Sequence, residues 1–305
     1  MEIKLGQAYS FHQIGQRDNQ EDARFPNEDI PNLKQRFFIV CDGIGGCDKG
    51  EVASQTVCET FGKALKYTDF EEDFTNNDFS HALDAAYAAL DARANDTNKD
   101  MGTTLTFVCF HGKGCTMAHI GDSRIYQIRP SEGIIYRSDD HSMVNMMVHN
   151  GTLTPEQAID HPQSNVITRY MEPVASDGNR CMATVMRTID VEKDDFFFLC
   201  SDGVLQNVSD DDIVEILSSS LSDEAKMQKI AAMSKDSDDN NTAYLIHVED
   251  VVKGLDPDEQ LEIEDEDSHR TKKIKVASQC VEDIEPVKTP ASPNKFLSWL
   301  KNIFK

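Results

Sequence analysis

The run FFIVCDGIGG at residues 37–46 constrains this chain more than any other. Phe37 to Cys41 are aromatic, β-branched or thiol residues, the composition of a buried β-strand. The strand ends in Asp42, followed by Gly43, Ile44, Gly45 and Gly46. A carboxylate at the end of a buried strand is costly unless something pairs with it. The glycines leave the backbone almost bare, which suits a sharp turn and a close approach by another group. The fold must therefore bring Asp42 a partner.

Three more acids share this setting, at strand ends or in Gly- or Asn-containing turns. They are Asp122 in HIGDSR, Asp202 in LCSDGV and Asp239 in DSDDNNTAYLI. One turn Asp more often caps backbone groups than binds anything. Four invite a common cause. Hard cations such as Mg²⁺ and Mn²⁺ take oxygen ligands, and acids converging from strand ends can hold two of them about 4 Å apart. Taken alone, these residues point to a metal site.

Composition narrows the function. The chain has 305 residues, 39% hydrophobic and 28% charged, as in a globular protein. Its formal net charge of −24 argues against nucleic-acid binding, because an acidic surface repels phosphate. The eight cysteines form no CxxC pair and no zinc-type spacing, so they read as reduced thiols in a cytoplasmic protein. MEIKLGQAYS is not a signal peptide, and no apolar run reaches the length of a membrane span.

Residues 1–249 alternate strand-like and helix-like segments. RFFIVCD, TTLTFVCF, GCTMAHIGDS, RIYQIR and DFFFLCSDG read as strands. GEVASQTVCETFGKALKY reads as a helix with Ala53, Val57, Phe61 and Leu65 on one stripe, and a second helix carries Phe79, Leu83, Tyr87 and Leu90. Ser209 is placed to cap SDDDIVEILSSSL. Strands often follow one another through turns such as HGKG and SEGI, which favours antiparallel hairpins. The expected fold class is α+β, with helices packed outside sheet.

From residue 250 to 294 an acid-rich stretch and then a Pro-containing spacer read as a disordered linker. In 295–305, Phe296, Leu297, Trp299, Leu300, Ile303 and Phe304 fall on one arc of a helix, with Lys295, Lys301 and Lys305 opposite. Such a helix suits an anionic membrane surface, a groove on a protein partner or the chain's own domain, and it would serve as a tether.

The order of motifs goes further. RDNQED (17–22), DGIGG (42–46), GTT (102–104), GDSR (121–124), SDG (201–203) and DNNT (239–242) together resemble the type 2C family of metal-dependent protein phosphatases, over residues 1 to 248. Each string is weak, but six in the family's order are strong evidence. The resemblance implies a four-layer α-β-β-α sandwich with two central, mainly antiparallel sheets and a small flap. It implies two catalytic Mn²⁺ or Mg²⁺ ions, with Asp42 bridging them, the Gly43 carbonyl on one, and Asp202 and Asp239 as the other carboxylate ligands. Glu21 and Asp22 would hold metal-bound waters. Asp122, with Asp202, would form the weaker third site of bacterial relatives. Arg17 would grip the phosphate. A water bridging the metals would be acidified to hydroxide and attack phosphorus in line with the leaving serine or threonine oxygen. Phosphorylated proteins would be the substrates, and a Ser/Thr kinase the counterpart.

Two features qualify the likeness. Eukaryotic relatives often carry His, assigned as general acid, where this chain has Ile44, which points to the bacterial branch and leaves the proton donor between a metal-bound water and His141. His119, inside a strand, reads as a buried, hydrogen-bonded core residue. Residues 139–171 resemble the bacterial flap, with helical spacing around Met143, Met146 and Met147 and a second helix starting at Pro155. A packed helical hairpin fits them equally well. Two other functions compete: a non-catalytic module of the same fold binding a partner through flap or tail, and another two-metal hydrolase. A nuclease is disfavoured by the acidic charge.

Overall fold

In the strands that run as unbroken apolar stretches, alternate residues go to two different cores. The computed structural model describes residues 1–44, 49–94, 101–159, 161–173, 180–253 and 279–284. Its elements are β1 (Glu2–Leu5), β2 (Tyr9–Gln13), β3 (Ala23–Phe25), β4 (Phe37–Cys41), α1 (Gly50–Ala64), α2 (Asn76–Arg93), β5 (Leu105–His111), β6 (Gly114–Ile120), β7 (Arg124–Arg129), β8 (Gly133–Arg137), α3 (Met143–His149), α4 (Pro155–Ile159), β9 (Ala183–Thr188), β10 (Phe196–Cys200), α5 (Asp202–Leu205), α6 (Asp210–Ser218), α7 (Asp223–Ser234), β11 (Asn241–Val252) and β12 (Gln279–Ile284). One sheet has the order β1-β11-β10-β7-β8, with β2 also paired to β11. The other runs β12-β9-β6-β5-β4-β3. The named strand pairs are antiparallel.

The period of two explains the layers. From β4, Phe38 and Val40 point to the core between the sheets, where they meet Leu199 and Tyr244 of the facing sheet. Phe37, Ile39 and Cys41 point the other way, against α1 and α2. In β10, Phe197 and Leu199 face the central core, while Phe196, Phe198 and Cys200 pack under α5, α6 and α7. Helix, sheet, sheet and helix therefore stack as four layers, the architecture expected from the resemblance.

Local signals agree with the layers. Ala53, Val57 and Phe61 are buried along α1 with Leu65 just past its end, and Phe79, Leu83, Tyr87 and Leu90 along α2. Ser209 caps α6 in a reciprocal box with Asp212, satisfying end N–H groups that the helix cannot. Thr75 and Asp78 do the same for α2. In the region read as a flap, α3 and α4 follow one another, with Pro155 opening α4 and no α3 residue buried. Cys41, Cys58, Cys109, Cys115, Cys181 and Cys200 are free thiols.

The linker expectation changes at two places. β11 continues to Val252, past the boundary drawn at 249, because β1 pairs with its last turn-side residues through Glu2↔Val252. Within 250–294, residues Gln279–Ile284 form β12, antiparallel to β9 from Gln279↔Thr188 to Ile284↔Ala183. Edge N–H and C=O groups on β9 recruit any available strand, and composition alone did not reveal this one. The amphipathic stretch 295–305 lies outside the described residues. Among the described residues no helix is long and apolar enough to cross a membrane.

The outer core is organised around Phe107, whose ring lies 5.6–6.3 Å from those of Phe37, Phe61, Phe74 and Phe79. Phe107→Ala is expected to cost about 3–5 kcal/mol in urea denaturation. Tyr67→Ala, at a residue 87% exposed, is expected to stay within about 0.5 kcal/mol.

Candidate metal and phosphate site

The strand ends of both sheets deliver acids to one place. Asp42 follows β4, Asp122 follows β6 after one residue, Asp202 follows β10 after Ser201, and Asp239 precedes β11. The backbone around Asp42 is fully committed. Its N–H donates to Thr104 Oγ1 (2.9 Å), and its carbonyl accepts from the Thr104 N–H and Thr103 Oγ1, both at 2.9 Å. Thr104 Oγ1 also meets Ser123 Oγ at 2.7 Å, which ties the Asp42 turn to the residue after Asp122.

The second anchor is the segment before β3. The Glu21 carbonyl accepts from the Gly43 N–H (3.1 Å) and from Ser54 Oγ (2.5 Å). The Glu21 N–H donates to Asn240 Oδ1 at 2.7 Å, and Asn240 Nδ2 donates to the carbonyls of Ile14 and Asn19. Ser201 Oγ donates to Asp22 Oδ2 at 2.8 Å and accepts the Thr242 N–H at 3.0 Å. A Cβ on Gly43 would sit 2.5 Å from the Glu21 carbonyl oxygen and from the Gly50 backbone. Gly43 is thus bare because protein backbone packs against it. Gly45 and Gly46 lie outside the described residues.

Electrostatics shows what these carboxyls lack. Burial pushes the Asp42 carboxyl well above the usual carboxylate range, and Asp22, Asp202, Asp122 and Asp239 add to the push. Burial also raises Asp22 to about 7 and Asp122 to about 8, with Asp202 adding to each. Asp202 is raised by burial and by Asp239, although it lies within hydrogen-bonding reach of the Asp42 carboxyl. Glu21 is raised by burial and by Glu51. Asp22 Oδ1 and Asp202 Oδ1 are buried without any hydrogen-bond partner. Buried like charges with idle oxygens are the signature of a cation site. The donors are oxygens throughout, the chemistry of Mg²⁺ and Mn²⁺. Among the described residues no three acid, His or Cys side chains close on one point. A hydrated hard cation needs only one or two direct carboxylates, with water completing the shell, so the open arrangement fits.

Arg17 stands at the rim, half exposed. Its Nη2 is 2.7 Å from Asp239 Oδ2 and its Nε donates to the Asp238 carbonyl at 3.1 Å. Beside Asp122 and Asp202 opens a cleft of about 900 Å³ whose far wall is α3 and α4. His119 is buried, with Nε2 donating to the Asp139 carbonyl (2.8 Å), as expected of a core histidine. Both ring nitrogens of His141 are engaged, with the Gly121 N–H and with Thr184 Oγ1, which removes it as a free proton donor.

The profile of the family Protein phosphatase 2C matches residues 16–239. The chain belongs to the protein phosphatase 2C family. Serine/threonine protein phosphatase PstP of Mycobacterium tuberculosis is 36% identical over 201 residues, 64% of this chain and 37% of PstP. Protein phosphatase PhpP of Streptococcus pneumoniae is 31% identical over 229 residues, 72% of this chain and 86% of PhpP. A crystal structure of the PstP catalytic domain in complex with two manganese ions superposes with a TM-score of 0.62 at 28% identity, over 82% of this chain and 100% of that one. The matched region holds every acid of the cluster.

The fold brings the acids singled out in the sequence into one region, where Asp140 and Glu51 add further charge, and the groups that hold them carry no comparable mark. Thr104, Ser123, Ser201 and Asn240 lie inside the recognised motifs, yet their roles depend on partners far away along the chain. A pH dependence follows. Asp22 and Asp122 hold protons to about pH 7 and about pH 8 when folded, well above an unfolded Asp. The metal-free chain therefore gains stability from them at low pH and loses it as pH rises through those values. The Tm gained with Mn²⁺ over chelator, compared at one pH so that buried histidines largely cancel, is expected to grow from about pH 6 to about pH 8.5. A constant or shrinking gain would contradict the assignment.

Proposed function

We propose that this protein hydrolyses phosphoserine and phosphothreonine esters on proteins, with divalent cations held by Asp42, Asp202 and Asp239, the Gly43 carbonyl and, at a weaker third position, Asp122. The cluster of buried, mutually repelling carboxyls beside an exposed arginine carries this reading. Mn²⁺ or Mg²⁺ bound there supplies positive charge against the phosphate and makes water acidic enough to attack at neutral pH. Everything else falls to the chain. Thr103 and Thr104 fix the turn that aims Asp42. Ser201 donates to Asp22, and Asn240 holds Glu21, so both acids are placed to accept hydrogen bonds from water around the cations.

Arg17 presents its guanidinium at the rim and holds Asp239 until a phosphate competes for it. A planar guanidinium can grip two phosphate oxygens at once. The cleft between Asp122 and α3–α4 is roomy enough for residues flanking the phosphorylated side chain. Met146 and Val166 are exposed in this region and offer apolar contacts to a substrate, which supports reading residues 139–171 as a flap. A Ser/Thr kinase is the natural counterpart, working beside the phosphatase in the cytoplasm. The segment 295–305 would tether it to an anionic membrane surface or a protein partner.

The test is hydrolysis of a phosphothreonine peptide with Mn²⁺, with Mg²⁺ and with chelator. Metal-dependent phosphate release is expected, and Asp42→Asn should lower kcat/KM at least about a hundredfold. Arg17→Ala should lower it roughly ten- to a hundredfold, the loss of one or two charge-assisted hydrogen bonds. No release with either metal, from folded protein, would refute the proposal.

A further inference from the structure

His141 sits where three parts of the molecule meet. Its main-chain N–H donates to the Gly121 carbonyl (2.9 Å), and its carbonyl accepts from the Thr168 N–H (2.7 Å). Its Nδ1 accepts the Gly121 N–H at 3.1 Å. Since Nδ1 is an acceptor there, the proton is on Nε2, which donates to Thr184 Oγ1 in β9 at 3.0 Å. His119 stacks on the ring, centroids 4.4 Å apart and planes 20° from parallel. Burial holds both rings below the usual histidine range, so both stay neutral at physiological pH.

Gly121 is the residue this bracket grips. It follows β6 directly, has φ +108°, and would press a Cβ against the Thr104 side chain. Its conformation sets the direction in which the chain presents Asp122. The Thr104–Ser123 bond fixes the far side of Asp122, and the paired bonds from His141 fix the near side. The flap region is tied in as well: Ser142 bridges Ile167, and the Met143 N–H donates to the Val166 carbonyl at 2.8 Å.

We propose that His141 is a positioning residue for Asp122: its Nδ1, by accepting the Gly121 N–H, fixes the turn that aims this carboxylate at its cation and joins that turn to the base of the α3–α4 segment. The inference rests on the assignment of Asp122 as a ligand of the weaker cation. It gives His141 a structural reason to be histidine, since no other neutral side chain places an acceptor at Nδ1 and a donor at Nε2 together.

Asparagine and glutamine separate the two ring nitrogens. His141→Asn keeps an acceptor at the δ position facing Gly121 and loses the bond to Thr184. His141→Gln keeps a donor at the ε position facing Thr184 and leaves the Gly121 N–H unpaired. Mn²⁺ binding to the full chain is followed by the electron paramagnetic resonance signal of free Mn²⁺, with metal-free melting as a control. Glutamine is expected to weaken the low-affinity class of Mn²⁺ roughly five- to tenfold, with asparagine within about twofold of the parent. Thr184→Val, which removes the Nε2 partner, should follow asparagine. Asp122→Asn should abolish the low-affinity class. If it does so while glutamine and asparagine bind alike, the role of His141 is overturned and the assignment of Asp122 stands. If Asp122→Asn leaves that class intact, the assignment fails and takes the inference with it. A glutamine variant with weaker Mn²⁺ binding but an unchanged metal-free Tm supports positioning, whereas a lower Tm with unchanged binding makes His141 merely structural.

Discussion

Repulsion among buried carboxyls is the constraint on which this structure depends. Asp22, Asp42, Asp122 and Asp202 are withdrawn from water; burial first, and then the charge of neighbouring carboxyls, pushes each above the usual carboxylate range. Two like charges about 5 Å apart cost about 3 kcal/mol at an effective dielectric constant near 20. Several such pairs would spend a large part of a domain's net stability, which is only about 5–15 kcal/mol. A chain that keeps them must gain from a cation what it loses without one. The same repulsion that weakens the metal-free fold makes the site strong for Mn²⁺ or Mg²⁺.

The sheets make this tolerable by rigidity. Acids placed on loops would swing apart toward solvent. Here they leave the ends of β4, β6 and β10 or enter β11, strands buried between two cores. Side chains from elsewhere then lock the site: Thr104 holds the main chain of Asp42, Asn240 holds the main chain of Glu21, and Ser201 holds the Asp22 carboxyl. Fold and site are one mechanical unit, because the four-layer sandwich supplies the stiffness that holds like charges together.

How much of this was legible in the sequence follows from the range of each interaction. The strands β4, β5, β6 and β10 were legible because burial on both faces leaves largely apolar runs, and β7 through the β-branched and aromatic residues of RIYQIR. β1, in EIKL, alternates exposed and buried residues over only four positions, and β8 is half exposed, so neither signal rose above its surroundings. β12 was illegible for another reason: it sits in an acidic and Pro-containing context and acquires its structure from β9. The acids stood out because each ends or begins a strand beside glycine or asparagine. Their holders did not, since Thr104 meets Asp42 from 62 residues away and Asn240 meets Glu21 from 219. A hydroxyl or amide carries no local mark of such a partner. Gly43 signals a close approach in the sequence, but only the fold shows that the backbone of Glu21 and Gly50 packs against it.

The most direct test of the account is to locate the cations. Anomalous diffraction from crystals grown with Mn²⁺ would show them without reference to activity. The account predicts two strong peaks flanking the Asp42 carboxylate, within reach of Asp202, Asp239 and the Gly43 carbonyl, and a weaker one beside Asp122. Ordered crystals in saturating Mn²⁺ with no peak at Asp42 would contradict it, as would peaks confined to surface acids elsewhere.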